Sequence, residues 1–145
     1  MKEEQYLTER LEKQITWYSK KSKKNQRWFQ WLRIIEIISA GIIPFLAGRP
    51  SMAYSEWLIG GLGILVAVSA AVIALFKYQE NWLEYRTTAE QLKHEKYLYL
   101  TNVKPYDADD KFSLLVDRVE SLISRENSAW ADFSRNAQKS HDTKK

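Results

Sequence analysis

Cysteine is absent from this 145-residue chain, which excludes a disulfide framework, a thiolate metal site and a cysteine nucleophile. Histidine occurs twice, at His94 and His141, too sparsely for a histidine-based metal centre. The five glycines all fall between Gly41 and Gly63, inside or beside apolar segments, so no glycine-rich loop is placed to cradle a phosphate. No nucleophile, acid and base converge in any motif, and neither an enzyme nor a cofactor is expected. The net charge of +4, from 22 basic and 18 acidic residues, is too mild and too mixed to imply nucleic-acid binding.

Charge is missing where the chain is most apolar. Trp57–Phe76 is 20 residues without Asp, Glu, Lys or Arg, and Ile34–Gly48 is 15 residues with one, Glu36. The mean hydropathy of -0.46 therefore averages two populations, as in a membrane protein with a water-facing part. Twenty helical residues rise about 30 Å, the thickness of a hydrocarbon core. The first apolar segment reaches that length by extending back through Trp31 and Trp28, with Arg33 snorkelling to the headgroups. The expected spans are about 28–48 and 57–76. Trp28, Trp31, Trp57 and Trp82 stand where interfacial anchors belong. Pro44 lacks a backbone donor and can kink the first span near Ala40.

Six basic residues lie between Lys13 and Glu36 with no acid among them, and Lys77, Arg86, Lys93 and Lys96 follow the second span, whereas the connecting loop has only Arg49. The positive-inside rule puts both termini in the cytoplasm. The charged opening MKEEQYLTERLEK shows no signal-peptide pattern, so the first span is expected to act as its own anchor. The stretches Lys2–Ser39 and Ile64–Lys104 lack both Gly and Pro, so each span is expected to continue as one helix into the cytoplasm. Leu7, Leu11, Ile15 and Tyr18, and again Trp82, Tyr85, Ala89 and Leu92, recur at helical spacing. The segment NVKPYDADD, Asn102–Asp110, marks a turn, with Asp107 and Asp109 as N-cap candidates. A third helix over about 110–137 carries an apolar stripe of Phe112, Leu115, Val116, Val119, Leu122, Ile123, Trp130 and Phe133. The expected fold is an all-α membrane protein: a two-helix transmembrane hairpin, cytoplasmic helical extensions over about 3–27 and 77–101, and a third, amphipathic cytoplasmic helix. Residues 1–137 form one domain, and 138–145 a disordered tail.

Four groups of residues could carry function. Glu36 lies inside an apolar span, where a carboxylate faces a pore or pairs with a cation; Arg33 is one turn away, and Lys77 is placed at the matching depth on the second span. Gly60, Gly63, Ala67, Ala70 and Ala74 form a heptad seam of small residues that permits close helix packing, against the first span or another subunit. Glu126 falls on the apolar stripe of the third helix and needs a partner, for which Arg86 is the candidate. The basic run Lys20–Arg27 is topogenic and can also meet anionic lipid headgroups.

The run FKYQENWLEYRTTAEQLKHEKYLYL, Phe76–Leu100, resembles the signature of the SLATT family of bacterial two-transmembrane domains. The later RVESLISREN followed by Ala129-Trp130 is similar to that family's final helix, and the basic aromatic lead-in and the IIP of the first span fit it. The resemblance covers about residues 5–133. It implies a membrane effector, in the bacterial inner (cell) membrane, of pore-forming type, acting in immunity or programmed cell death, with any sensor a separate cytosolic protein. Two helices cannot enclose a channel, so a pore requires a homo-oligomer of four or more subunits. The alternative is a non-conducting scaffold or adaptor that recruits a cytosolic partner.

Overall fold

A computed structural model describes residues 2–49, 51 and 53–142, with the side chains of residues 129, 130, 133, 134 and 136–142 left undescribed. The chain is all-helical, with no strand among the described residues. It forms three helices: α1, Glu3–Ala47; α2, Ser55–Leu100; and α3, Lys111–Asp142. Both α1 and α2 are long and apolar enough to cross a membrane. The chain divides into two compact units, Lys21–Leu83 and the pair of segments Met1–Lys20 and Glu84–Lys145, where the sequence pattern suggested one domain.

The first unit is an antiparallel hairpin. Its α1 strand of residues turns inward Ser22, Asn25, Phe29, Leu32, Glu36, Ser39, Ile43 and Leu46, all buried or half-buried. Their spacing alternates between three and four, as a coiled-coil seam requires. On α2 the facing set is Ser55, Ile59, Leu62, Val66, Ser69 and Ile73, with the same alternation. Ser22 Oγ donates to the Trp82 carbonyl at 3.3 Å. The Trp28 ring stacks on Tyr78, centroids 6.5 Å apart. Helical structure runs through Pro44 to Ala47, so the proline does not end α1.

Helix α2 is not continuous, contrary to expectation. It is helical over Ser55–Phe76 and again over Tyr78–Leu100, and Lys77 between them adopts a left-handed conformation with φ 48°. The Asn81 side chain donates to the Phe76 carbonyl at 3.1 Å, satisfying a group that the break frees from the helical ladder.

The second unit is a bundle with one core. Tyr6, Leu11, Ile15 and Tyr18 of α1, Tyr85, Ala89, Leu92 and Tyr99 of α2, and Leu115, Val119 and Ile123 of α3 are buried in it, with Tyr106 from the connecting loop. The α1 stripe differs from expectation at its start. A π-helical segment, Tyr6–Leu11, adds a residue to the turn, so Tyr6 rather than Leu7 joins Leu11 inside. Helix α2 ends in a Schellman motif. Asn102 takes the left-handed conformation at φ 54°, its N–H donates to the Tyr99 carbonyl and the Val103 N–H to the Leu98 carbonyl. No described hydrogen bond makes Asp107 or Asp109 a cap; Lys111 Nζ instead donates to Asn102 Oδ1 at 2.7 Å. Helix α3 continues to Asp142, past the expected end near residue 137, as nothing after Pro105 is Gly or Pro. Residues 143–145 lie outside the described residues, as do the Trp130 and Phe133 side chains expected on the stripe.

Candidate functional site

The charged site of the hairpin is small. Arg33 Nη1 donates to Glu36 Oε2 at 2.9 Å, one turn away on the same helix. The Arg33 guanidinium also lies over the Phe29 ring, 5.7 Å from its centroid. Glu36 sits on the inward seam with its side chain 21% exposed. Lys77 is not level with it, which corrects the depth read from sequence. The Ser22–Trp82 and Trp28–Tyr78 contacts set the register, with residue numbers summing to 104 and 106. Lys77 therefore lies near Trp28, eight residues or about 12 Å along the helix from Glu36.

The small residues of α2 do not close the hairpin. Gly60, Ala67, Ala70 and Ala74 are exposed and Gly63 is half-exposed. A methyl group built on Gly60 or Gly63 would meet nothing within 4 Å. The hairpin seam runs through Ser55, Ile59, Leu62, Val66, Ser69 and Ile73, roughly a quarter-turn round the helix at 3.6 residues per turn. The small-residue seam is thus an outward face. The anchors Trp28, Trp31 and Trp57 are exposed as well, whereas Trp82 is half-buried.

The bundle holds four tyrosine–carboxylate pairs, one of them Tyr99 donating to Glu3; the other three form nodes that involve α3 or the connecting loop. Tyr6 Oη donates to Glu120 at 3.0 Å, and Arg10 grips the same carboxylate with two bonds of 3.0 and 2.9 Å. Tyr106 donates to Glu95, which Arg118 grips at 2.9 and 2.7 Å. Tyr18 donates to Glu126 at 3.1 Å. The first two carboxylates are held below the ordinary range. For Glu120 the Arg10 bonds dominate; for Glu95 burial pushes upward, but the bonds from Arg118 and Tyr106 together outweigh it. Glu126 goes the other way. Burial raises it, the Tyr18 bond opposes, and the neighbouring Glu84 carboxylate adds to the rise.

Arg86 does not partner Glu126, which corrects the pairing read from sequence. Arg86 is exposed, because it follows Tyr85, whose side chain faces the core, and the next residue of a helix is turned about 100° away. Among the described residues no cation pairs with Glu126. Glu95 was legible by the same signal that drew attention to Glu126: it falls on the apolar stripe of Tyr85, Ala89, Leu92 and Tyr99. Tyr6, Arg10, Tyr18, Arg118 and Glu120 carried no such signal, since their partners lie more than 20 positions away in sequence, and Tyr106 stands in the connecting loop, where no periodicity applies. Among the described residues no group of three His, Cys, Asp or Glu could hold a metal ion.

An apolar helical hairpin, joined in one chain to a polar bundle tied by tyrosine–carboxylate nodes, defines a small all-helical protein with two candidate membrane spans. The chain belongs to the family DUF4231, described as a protein of unknown function, whose model matches residues 13–113. No curated protein and no solved structure matches it.

Proposed function

We propose that this protein crosses a membrane twice, with both termini in the cytoplasm, and works there as an oligomeric effector that conducts ions under control of its bundle. The observation that carries the membrane part is exposure. Of the most apolar 18-residue windows, only 11% of α1 and 6% of α2 is buried inside the protein. A core helix of a water-soluble protein would be mostly covered, and so much exposed apolar surface needs lipid or another chain. The outward small-residue face of α2 supports self-association, because helices pack in lipid by close backbone approach. Conduction is supported by the SLATT resemblance and by Glu36, and it needs several copies around an axis.

A second reading, a non-conducting scaffold, is favoured by one contact. Glu36 is engaged by Arg33 on its own helix, so the one acidic group within the spans is already neutralised. Light scattering in mild detergent, with the detergent mass subtracted, tests the choice. A discrete assembly of four or more chains supports the effector reading, and Glu36→Gln should then alter ion selectivity in reconstituted vesicles. A monomer or dimer overturns the ring and leaves the scaffold.

A further inference from the structure

On α1 the face opposite the hairpin seam is continuous from charge to hydrocarbon. Lys23, Lys24 and Arg27 are exposed, and none belongs to a described ion pair. Trp31 follows on the same side, 65% exposed, and Trp28, 52% exposed, flanks this face on the side toward α2. Ile34, Ile38 and Ile42 then extend this arc along the span, again exposed. At 100° per residue the three cations and Trp31 fall within about 100° of arc, and the isoleucines fall within that same sector. The inward seam of Ser22, Phe29, Leu32 and Glu36 occupies the other side. Trp28 stacks on Tyr78, so an aromatic pair borders this face where it meets α2.

We propose that Lys23, Lys24, Arg27, Trp28 and Trp31 form a binding face for an anionic phospholipid of the cytoplasmic leaflet. The chemistry matches part by part. Isoleucine side chains meet the acyl chains, the amphipathic indoles sit at the glycerol level, and the three cations meet the phosphate and the headgroup charge between about 10 Å (Arg27) and about 16 Å (Lys23) beyond Ile34 along the helix. No acid occurs between Lys13 and Glu36 to compete for them. Juxtamembrane lysine and arginine each favour an anionic surface by about fivefold in partition. A free anion has no use for the indoles or for the isoleucines, which is why a lipid is the occupant.

The proposal rests on the membrane reading, and its test separates the two. The full chain is reconstituted in phosphatidylcholine vesicles with a trace of spin-labelled phosphatidylglycerol or spin-labelled phosphatidylcholine. The motionally restricted fraction of each label is then measured. The expected result is an association for phosphatidylglycerol at least fivefold that for phosphatidylcholine, weakening with salt. The triple variant K23Q/K24Q/R27Q should bring the ratio close to one, while K23R/K24R/R27K keeps it. Equal association in the parent chain, or a preference that survives the triple glutamine variant, overturns the proposal. Loss of the preference to inorganic phosphate at matched ionic strength overturns it too, in favour of a free-anion site. If neither label shows a restricted fraction, the membrane reading itself fails and the lipid site falls with it.

Discussion

Four tyrosine hydroxyls donate to carboxylates in the bundle; three of them meet Glu120, Glu95 and Glu126, and of these Glu120 and Glu95 also hold an arginine in a two-bond grip. That difference predicts opposite responses to pH. Glu126 is neutral in both folded and unfolded states below the ordinary carboxylate range, so its burial costs nothing there. As the pH rises, the unfolded chain releases this proton first; the penalty on the folded state grows until the pH passes the raised folded value and stays constant above it. Glu126→Gln imitates the neutral form. It should stabilise the protein by about 1 kcal/mol at pH 7 and leave it unchanged near pH 4. Thermal unfolding in detergent, followed by circular dichroism at both pH values, checks this; a lower melting temperature at pH 7 would mean the ionised form is wanted. Glu95→Gln should do the reverse. Its lowered value means that its stabilisation is present above the unfolded carboxylate range and disappears as the pH falls through the folded value. Losing the charge-assisted Arg118 bonds should cost about 2 kcal/mol at pH 7, shrinking toward zero in strong acid. The same melting series reads both variants.

At the scale of elements, the break at Lys77 is the feature that departs furthest from the sequence pattern. A lysine in the left-handed region costs about 1 kcal/mol or more relative to helical geometry, and nothing in a run without Gly or Pro announces it. The break is compensated both locally and across the hairpin: Asn81 covers the Phe76 carbonyl, and Trp28 stacks on Tyr78. A β-branched residue is strained further in this conformation, whereas glycine is not. Lys77→Val should therefore be less stable than Lys77→Gly by at least about 1 kcal/mol, measured as a difference in melting temperature. Equal stabilities would show that the turn relaxes into a straight helix. The other end signals were readable: Asn102 and Pro105 lie where α2 stops, and the apolar periodicity of α3 predicts which of its faces is buried. What periodicity could not supply is which polar residue meets which. Glu126 was visible as a carboxylate on an apolar stripe, but its neighbour Tyr18 is 108 positions away, and a single helix pattern holds no information about that distance. The π-helical turn at Tyr6–Leu11 is equally silent, since it only shifts a register.

For the whole molecule the open question is what covers the spans, and the two faces of α2 allow it to be asked separately. Ala67 is exposed on the small-residue face, while Ser69, two residues on, is buried in the hairpin seam, 3% exposed. A leucine at Ala67 adds bulk where the protein itself has no neighbour, so the hairpin should tolerate it. If copies of the chain meet there, the added side chain holds their backbones apart and removes the close approach that packing in lipid relies on. A leucine at Ser69 instead overpacks the contact between α1 and α2, at about 1–3 kcal/mol. The expected outcome is that Ala67→Leu lowers the mass of the detergent-solubilised assembly at unchanged melting temperature of the hairpin. Ser69→Leu should lower the melting temperature first. Light scattering and thermal unfolding on the two purified variants distinguish these effects. An assembly of unaltered mass in Ala67→Leu would mean that the small face of α2 meets lipid, and that any association uses the exposed arc of α1 or the bundle instead.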